Sequence, residues 1–334
     1  MSARESIIPV FVPHLGCPRK CVFCNQNRIS GALKPADAGT VREAVEKAEA
    51  ASPKNGRRQL AFYGGSFTAI PGASQEELLS AASDYLRKGY IDEIRLSTRP
   101  DAINPEVLER LKRYSVRTVE LGAQSMDDEV LALAERGHTA ADVENASSML
   151  KENGFKLILQ MMTGLPGDTL EKTVYTAKKI ASLDPDGVRI YPTVIVKDTP
   201  LYDMWKRGEY KEHSIEEAVE YCAAILPVFE KAGIPVIRLG LNPTDDLSGG
   251  DAVGGAYHPA LGEMVRSRLI YEKISKLINE SIDAESLTVG VNPRSISQAV
   301  GQKRCNIEKA KQDFGVELKV VPDENIPVGE VELE

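Results

Sequence analysis

Three cysteines lie close together near the start of the chain, in the segment His14-Leu-Gly-Cys17-Pro-Arg-Lys-Cys21-Val-Phe-Cys24. Three thiolates on one short loop bind three irons of a [4Fe–4S] cubane and leave the fourth iron open for another ligand. Structural zinc prefers four closed ligands, and no second Cys/His pair follows at the spacing of a zinc finger. The C-x3-C-x2-C spacing therefore predicts a [4Fe–4S] cluster on Cys17, Cys21 and Cys24, and a zinc site that includes His14 is the weaker alternative.

Apolar residues recur at strand-like and helix-like periods along most of the chain. Strands are predicted at 8–13, 59–63, 93–97, 117–121, 156–162, 187–191 and 236–239, and helices at 41–51, 75–88, 105–114, 127–135, 140–153, 169–182 and 215–231. This alternation indicates parallel strands joined by right-handed crossovers, and six strand–helix units are fewer than a closed eight-unit barrel requires. The predicted fold is α/β, a partial (β/α)6 TIM-like barrel with a small C-terminal α+β unit.

The predicted domain organisation has three parts. Residues 1–240 form the barrel, and 241–285 form an extension with a Gly-, Asp- and Asn-rich loop at 242–255 and a helix at 258–278. Residues 286–334 form the small unit, which reads strand 286–291, helix 295–300, helix 306–314 and strand 316–321.

Composition limits the classes of protein that the chain can represent. Its net charge of −8 argues against a surface that is basic throughout and binds nucleic acid non-specifically. No run of about 18 apolar residues suggests a membrane helix, and the start of the chain lacks the pattern of a signal peptide. Five cysteines, three of them clustered, favour a metal site in a reducing compartment. We expect a cytoplasmic protein with no membrane partner, in which Cys222 is a buried structural thiol and Cys305 has no assigned role.

The cysteine motif with an aromatic residue before its last cysteine resembles the signature of the radical S-adenosylmethionine superfamily. The resemblance covers about residues 8–240, and within the superfamily it points to the radical domain of the Elongator catalytic subunit. The matching stretches are Phe62-Tyr-Gly-Gly-Ser-Phe-Thr68, Leu96-Ser-Thr-Arg-Pro-Asp101, Glu120-Leu-Gly-Ala-Gln-Ser125, Arg136-Gly-His138, Gly164-Leu-Pro-Gly167, Arg189-Ile-Tyr-Pro-Thr193 and Asp198-Thr199. We expect no acetyltransferase domain after the radical domain, because the 334 residues leave no room for one, and therefore we do not expect the acetyl-CoA-dependent carboxymethylation of wobble uridine.

The resemblance implies a definite chemistry, which belongs to the cofactor. The open iron binds the amino and carboxylate groups of S-adenosylmethionine. An electron from a donor such as flavodoxin or ferredoxin then cleaves this cofactor to methionine and a 5′-deoxyadenosyl radical. That radical abstracts a hydrogen atom from the substrate.

The same resemblance implies the residues that hold the cofactor. Phe23 takes the aromatic position near the adenine, and Gly64 and Gly65 let the backbone approach the methionyl amino group closely. Arg136 would pair with the methionyl carboxylate, and its alternative is an exposed arginine at a helix end. The further cofactor-binding positions implied by the matching motifs are Ser66, Ser97, Gln124 and Gln160.

Candidates for the substrate side lie at strand ends and in the loops that follow them, where active sites of barrels form. They are Tyr63, Arg189, Tyr191, Lys197 and His258. Core packing is the alternative for Tyr191, and a simple helix start is the alternative for His258.

The C-terminal unit resembles the helix–loop–helix–strand part of a KH RNA-binding domain, which clamps a nucleic-acid backbone on a GxxG loop. The loop here is Gly301-Gln302-Lys303-Arg304, so the second glycine of the motif is missing. Between residues 292 and 321 there are six Lys or Arg and three Asp or Glu. A small cap without a ligand is the equal alternative.

Three hypotheses for the function follow. The leading one is a radical enzyme that acts on an RNA base, in tRNA, as the Elongator resemblance and the KH-like tail imply. The second is a radical enzyme for a small molecule such as a free modified nucleobase or a tetrapyrrole, which the acidic net charge favours. The third is a non-catalytic Fe–S protein that binds RNA or acts as a sensor, and the glycine pair, Gln124 and Arg136 argue against it because a sensor needs no cofactor cradle.

Overall fold

The computed structural model of the chain describes residues 5–12, 21–24, 35–241, 250–281 and 284–334. The strands are β1 (Glu5–Val12), β2 (Arg57–Gly64), β3 (Glu93–Thr98), β4 (Val116–Gln124), β5 (Lys156–Thr163), β6 (Gly187–Pro192), β7 (Val194–Val196), β8 (Val236–Leu239), β9 (Ala252–Gly255), β10 (Ser286–Val291), β11 (Glu317–Pro322) and β12 (Val331–Leu333). The helices are α1 (Ala38–Ala51), α2 (Gly72–Arg87), α3 (Pro105–Arg113), α4 (Asp128–Leu133), α5 (Ala140–Glu152), α6 (Leu170–Ser182), α7 (Pro200–Lys206), α8 (Ile215–Lys231), α9 (Leu261–Glu280), α10 (Ile296–Val300) and α11 (Cys305–Phe314).

The main sheet has seven strands in the order β1-β2-β3-β4-β5-β6-β8, and every neighbouring pair is parallel. In a flat sheet β2 and β6 would lie about 19 Å apart. Arg189 on β6 nevertheless donates a hydrogen bond to the hydroxyl of Tyr63 on β2 at 3.2 Å. The sheet therefore curls into a partial barrel, which confirms the predicted fold class.

Residues on the strands alternate between two environments, because successive side chains point to opposite faces. On β2, Leu60 and Phe62 are buried in the large apolar core, whereas Gln59 and Tyr63 belong to the polar contacts of the other face. The strands thus bury one apolar face and use the other for charged and hydrogen-bonding side chains. That polar inner face positions the candidate site.

Two helices start within a residue of the predicted positions 169 and 215, and each start is capped by a side chain. Thr169 accepts a hydrogen bond from the backbone of Lys172 at the start of α6, and Ser214 forms a capping box with Glu217 at the start of α8. The helix predicted from residue 258 begins instead at Leu261, because His258 Nδ1 accepts a hydrogen bond from the backbone N–H of Ala260 and closes a turn there.

A short antiparallel pair, β7 with β9, was not predicted. Residues 252–255 were expected to be part of a loop, but they form β9 although two of the four are glycines. Residues 242–249 of that predicted loop lie outside the described part of the chain. At Gly255, with φ +83°, a Cβ would lie 2.7 Å from the carbonyl oxygen of Thr193. Glycine is therefore needed for the close approach of the two strands.

The C-terminal unit has a three-stranded sheet in the order β11-β10-β12, where β10 and β11 are parallel and β12 is antiparallel to β10. The predicted strands and helices of this unit are present within a few residues, and β12 is an addition. Ile274 and Ile278 of α9 pack with Val289 and Leu318 of this unit, whereas Val265 of α9 belongs to the core of the barrel. Helix α9 thus links the two cores.

Within the residues that the structure describes, no helix is long and apolar enough to cross a membrane.

Candidate active site

The segment Cys21–Cys24 is fixed between two helices. The backbone N–H of Val22 donates to the carbonyl oxygen of Ala134 at 3.2 Å, just after α4, and its carbonyl oxygen accepts from the N–H of Leu201 in α7 at 2.8 Å. Val22 also belongs to a small apolar cluster with Val130 and Leu165, against which Phe23 packs. Neither Cys21 nor Cys24 is in a disulfide. Cys17 and His14 lie outside the described residues, so their predicted roles stay predictions.

Arg136 reaches the cysteine segment from the turn after α4. Its Nη1 donates to Cys21 Sγ at 3.2 Å and its Nη2 donates to the carbonyl oxygen of Gly122 at 2.7 Å. Its Nε is buried and has no hydrogen-bond partner among the described residues. Because the side chain is only 7% exposed, the alternative of an exposed arginine at a helix end is wrong. The chain turns inward there through Glu135 and Gly137, which both have positive φ angles.

His138 follows Arg136 on the same buried side of this turn. Its Nε2 lies 3.1 Å from the carbonyl oxygen of Ala123, so this nitrogen carries the proton and donates. Burial, followed by the nearby charge of Arg136, lowers the pKa of His138 to about 4. The imidazole is therefore neutral, and its buried Nδ1 is an acceptor without a partner in the described part of the chain. The sequence motif contained His138, but we did not predict it as a site residue.

Gln124 ends β4 in a conformation that is unusual for its residue type. Its φ angle is +67°, directly after a bulge in the pairing of β4 with β5, and its side chain accepts a hydrogen bond from Gln160 at 3.3 Å. A Cβ on Gly122 would lie 2.8 Å from Gln124 Nε2 and 3.3 Å from Arg136 Nη2. A positive φ at a non-glycine residue is a form of strain that clusters at functional sites. Gln124, Gln160 and Arg136 thus come together around Gly122.

The glycine pair after β2 has a structural use. At Gly64, with φ +106°, a Cβ would lie 3.0 Å from the carbonyl oxygen of Val12, and the N–H of Gly65 donates to that same oxygen at 2.9 Å. The two glycines therefore tie the end of β2 to the end of β1, just before the cysteine segment. Binding of a methionyl amino group by Gly64 and Gly65 stays a prediction.

Ser66 contacts the buried hydroxyl group of Thr98, and Ser97 directly precedes Thr98 in β3. Ser66 shares a hydrogen bond with Thr98 at 2.8 Å and accepts one from the N–H of Arg99 at 3.1 Å. These contacts hold the loop after β2 against the end of β3. Ser97 is half-buried and pairs in register with Glu120 of β4. Binding of a cofactor by Ser66 and Ser97 stays a prediction.

Three of the five substrate-side candidates meet around Glu120, which was not predicted. Tyr63 donates to Glu120 Oε1 at 3.1 Å, Arg189 Nε lies 2.8 Å from Glu120 Oε2, and Arg189 Nη1 donates to the hydroxyl of Tyr191 at 3.3 Å. Arg95 pairs with the same carboxylate from β3. Glu120 is 3% exposed, so its charge is compensated by the two arginines rather than by solvent.

The protonation state of Tyr63 follows from this arrangement. Burial, followed by the negative charge of Glu120, raises the pKa of Tyr63 well above its usual value. The phenol therefore stays protonated and presents a neutral hydroxyl to the barrel interior.

The two other candidates lie at different places. Lys197 directly follows β7, where its N–H donates to the carbonyl oxygen of Asp251. His258 borders an open cavity of about 340 Å³ beside β8 that is also lined by Arg238 and Glu263. The polar contacts of Glu120 come from Tyr63, Arg95 and Arg189.

The described residues fit the expected cofactors by their chemistry. Two thiols and a buried guanidinium with an unused N–H suit a thiolate-bound cluster and an anionic ligand next to it. Within the described ranges no three His, Cys, Asp or Glu residues form a group that could hold a metal ion, and Cys17 lies outside those ranges.

Comparison with known proteins agrees with this chemistry. The family model of the Radical SAM superfamily matches residues 11–180, and the model of the Radical_SAM C-terminal domain matches residues 185–271. A tRNA uridine(34) acetyltransferase of Methanocaldococcus infernus is 38% identical over 138 residues, which cover 40% of this chain and 26% of that protein. Elongator complex protein 3 of Homo sapiens is 35% identical over 136 residues, which cover 40% of this chain and 25% of that protein. The chain thus spans about a quarter of the length of these relatives.

A solved structure shares the fold. The archaeal Methanocaldococcus infernus Elp3 with an N-terminal deletion superposes with a TM-score of 0.63 at 24% identity, over 83% of this chain and 64% of that one. Enzymes of the radical superfamily use a [4Fe–4S] cluster and S-adenosylmethionine. Because the superfamily model alone spans about half of the residues, including the cysteine segment and Arg136, the chain belongs to the radical S-adenosylmethionine superfamily.

Proposed function

We propose that the chain is a radical S-adenosylmethionine enzyme that removes a hydrogen atom from a base of tRNA. The observation that carries this proposal is the shared inner face of the barrel. Gln160, which contacts Gln124 on the cofactor side, pairs in register with Arg189 on the substrate side. A substrate bound against Arg189 would therefore lie next to the cofactor. The name of one relative, tRNA uridine(34) acetyltransferase, favours tRNA as the source of the base.

The residues of the cofactor side have separate tasks in this proposal. Cys17, Cys21 and Cys24 hold the cluster, and Arg136 and Gln124 bind the methionyl group. When bound, the cofactors supply a 5′-deoxyadenosyl radical that takes a hydrogen atom from the substrate. The apolar cluster around Val22, against which Phe23 packs, keeps water away from this side of the site.

The substrate side offers groups that suit a nucleobase. The rings of Tyr63 and Tyr191 give aromatic surface, and their hydroxyls and the Arg189 guanidinium give hydrogen bonds to ring nitrogen and carbonyl groups. The Arg189 guanidinium also lies 5.9 Å from the centre of the Tyr63 ring. Glu120 orients both residues, which makes it a positioning residue in this proposal.

The C-terminal loop provides a contact for the RNA backbone. Gln302, Lys303 and Arg304 are exposed, and Gly301 cannot be replaced without strain because a Cβ would lie 2.5 Å from Cys305 Sγ. Lysine and arginine in a surface loop pair with phosphates through charge. We propose that this loop binds tRNA outside the barrel.

A second candidate is a radical enzyme for a small molecule, and the net charge of −8 favours it. The test is the rate of 5′-deoxyadenosine formation by anaerobically reconstituted protein with tRNA, free nucleobases or a tetrapyrrole, with reduced flavodoxin as the electron donor. Stimulation by tRNA alone supports the proposal, and stimulation by a small molecule alone refutes it. If reduced protein never cleaves S-adenosylmethionine, the non-catalytic sensor becomes the better hypothesis.

A further inference from the structure

Arg136 makes a contact that binding of S-adenosylmethionine does not explain. One edge of its guanidinium donates to the sulfur of Cys21 at 3.2 Å, and the other N–H group donates to the carbonyl oxygen of Gly122 at 2.7 Å. The guanidinium is planar and always charged, so two such bonds fix its orientation. A permanent positive charge is thus held against a predicted cluster ligand.

The same short turn builds both halves of this contact. Ala134, two residues before Arg136, provides the carbonyl oxygen that binds the N–H of Val22, the neighbour of Cys21. The N–H of Arg136 itself donates to the carbonyl oxygen of Leu131 at 3.0 Å and closes the turn. The turn therefore holds the cysteine backbone and places the charge on the cysteine sulfur. This double attachment indicates a contact built into the fold.

The physical effect of such a contact is on electron affinity. Reduction adds negative charge to an iron–sulfur cluster and its thiolates, and hydrogen bonds to the sulfurs are among the factors that set the potential. A buried cation stabilises the reduced form more strongly than an exposed one, because the surrounding dielectric constant is lower. Arg136 is buried, and Gly122 leaves room for it.

We propose that Arg136 raises the reduction potential of the cluster through its hydrogen bond to Cys21. This effect acts through the cysteine and is separate from the proposed contact of Arg136 with the methionyl carboxylate. This tuning makes the first electron transfer easier and acts before any substrate binds. The inference requires the cluster but holds for an RNA base and for a small-molecule substrate.

The test is a redox titration of reconstituted protein without S-adenosylmethionine, followed by electron paramagnetic resonance. At the potential where half of the parent cluster is reduced, Arg136→Gln is expected to lower the ratio of reduced to oxidised cluster by about tenfold. Arg136→Lys keeps the charge and should lower it less. Arg58→Gln is the matched control, because Arg58 is also buried but pairs with Glu49 near the end of α1.

A second variant, Gly122→Ala, keeps the proposal testable if Arg136→Gln does not hold the cluster. Gly122→Ala keeps the arginine and places a methyl group 3.3 Å from its Nη2, so it should lower the ratio in the same direction by a smaller factor. An unchanged ratio in Arg136→Gln with full iron content would overturn the proposal. If that variant loses its iron, unchanged ratios in both Arg136→Lys and Gly122→Ala would overturn it instead.

Discussion

The cofactor side of the barrel and the C-terminal loop both place basic side chains next to a glycine, but they do so in opposite ways. Arg136 is 7% exposed, and its two terminal nitrogens are bound to Cys21 and to the backbone at Gly122. Lys303 and Arg304 are exposed and have left-handed φ angles of 51° and 64°. The first site holds its guanidinium in one orientation, whereas the second exposes two positive charges to solvent.

This difference predicts how each region responds to change. A buried, hydrogen-bonded group is sensitive to conservative substitution and is screened little by salt. An exposed basic loop tolerates conservative substitution, but reversal of its charge and added salt both weaken its binding to an RNA backbone. The two regions can therefore be tested separately, since the proposed function assigns the chemistry to the first and the affinity for RNA to the second.

The largest effect is expected at the cluster. Cys24→Ala removes one of three thiolate ligands, so the protein should lose the [4Fe–4S] cubane and with it all cleavage of S-adenosylmethionine. Iron analysis and electron paramagnetic resonance measure the cluster. Cys305→Ala is the control, because Cys305 belongs to the C-terminal unit, and it should keep both iron and activity. A full cubane in Cys24→Ala would contradict the assignment.

The next largest effect is expected in the C-terminal loop. The double variant Lys303→Glu with Arg304→Glu should weaken tRNA binding by about 100-fold near 0.1 M salt, because two phosphate contacts are lost. The slope of the logarithm of the binding constant against the logarithm of the salt concentration should become shallower by about two. Lys309→Glu with Lys311→Glu makes the same change of charge on α11 and should have a smaller effect. Equal losses in the two double variants would show that net charge, and not the loop, attracts RNA.

On the substrate side a smaller effect is expected. Tyr63→Phe removes the hydroxyl that lies between Glu120 and Arg189 but keeps the ring, so Arg189 loses part of its support. Product formation should fall by about tenfold, as expected when substrate position is disturbed. Cleavage of S-adenosylmethionine without substrate should change little, because no cofactor ligand is altered. The ratio of product to 5′-deoxyadenosine measures this uncoupling, and an unchanged ratio would remove Tyr63 from the substrate side.

The smallest expected effect is on stability. His213 is buried and its Nε2 lies 3.1 Å from Thr163 Oγ1; burial lowers its pKa to about 4. Between pH 6.5 and 4 the unfolded chain takes up a proton at this position that the folded protein does not, so the free energy of unfolding decreases as the pH falls. His213 contributes about 3 kcal/mol at most to this decrease, and buried His138 contributes with the same sign. His213→Gln should flatten this dependence in urea unfolding at several pH values. An unchanged slope would mean that other groups cause it.

The sequence predicted features that depend on local pattern. The cysteine spacing, the alternation along the barrel strands and the helix starts near residues 169 and 215 are all visible within a few residues. The family resemblance added Arg136, Gln124 and Gln160, which the structure brings together around Gly122.

Other features depend on contacts between distant parts of the chain. Glu120 meets Tyr63 and Arg189 only because the sheet curls, and the signals in the sequence were its carboxylate within a strand and its place at the start of the matching stretch 120–125. The pair β7 and β9 was missed because its glycines suggest a loop, although Gly255 is what lets the strands approach. The structural contact of Gly65 was missed as well. The sequence suggested only a role next to the methionyl amino group, whereas the N–H of Gly65 binds the carbonyl oxygen of Val12 on the neighbouring strand.

Transfer of deuterium from substrate to cofactor tests the central claim most directly. Anaerobic enzyme is mixed with S-adenosylmethionine, a reduced electron donor and tRNA that carries deuterium on its base carbons, and the 5′-deoxyadenosine is analysed by mass spectrometry. We predict that deuterium appears in the 5′-deoxyadenosine, and that Cys24→Ala abolishes it. If 5′-deoxyadenosine forms without deuterium from tRNA but acquires it from a labelled free nucleobase or tetrapyrrole, the proposal of a tRNA base as substrate is wrong.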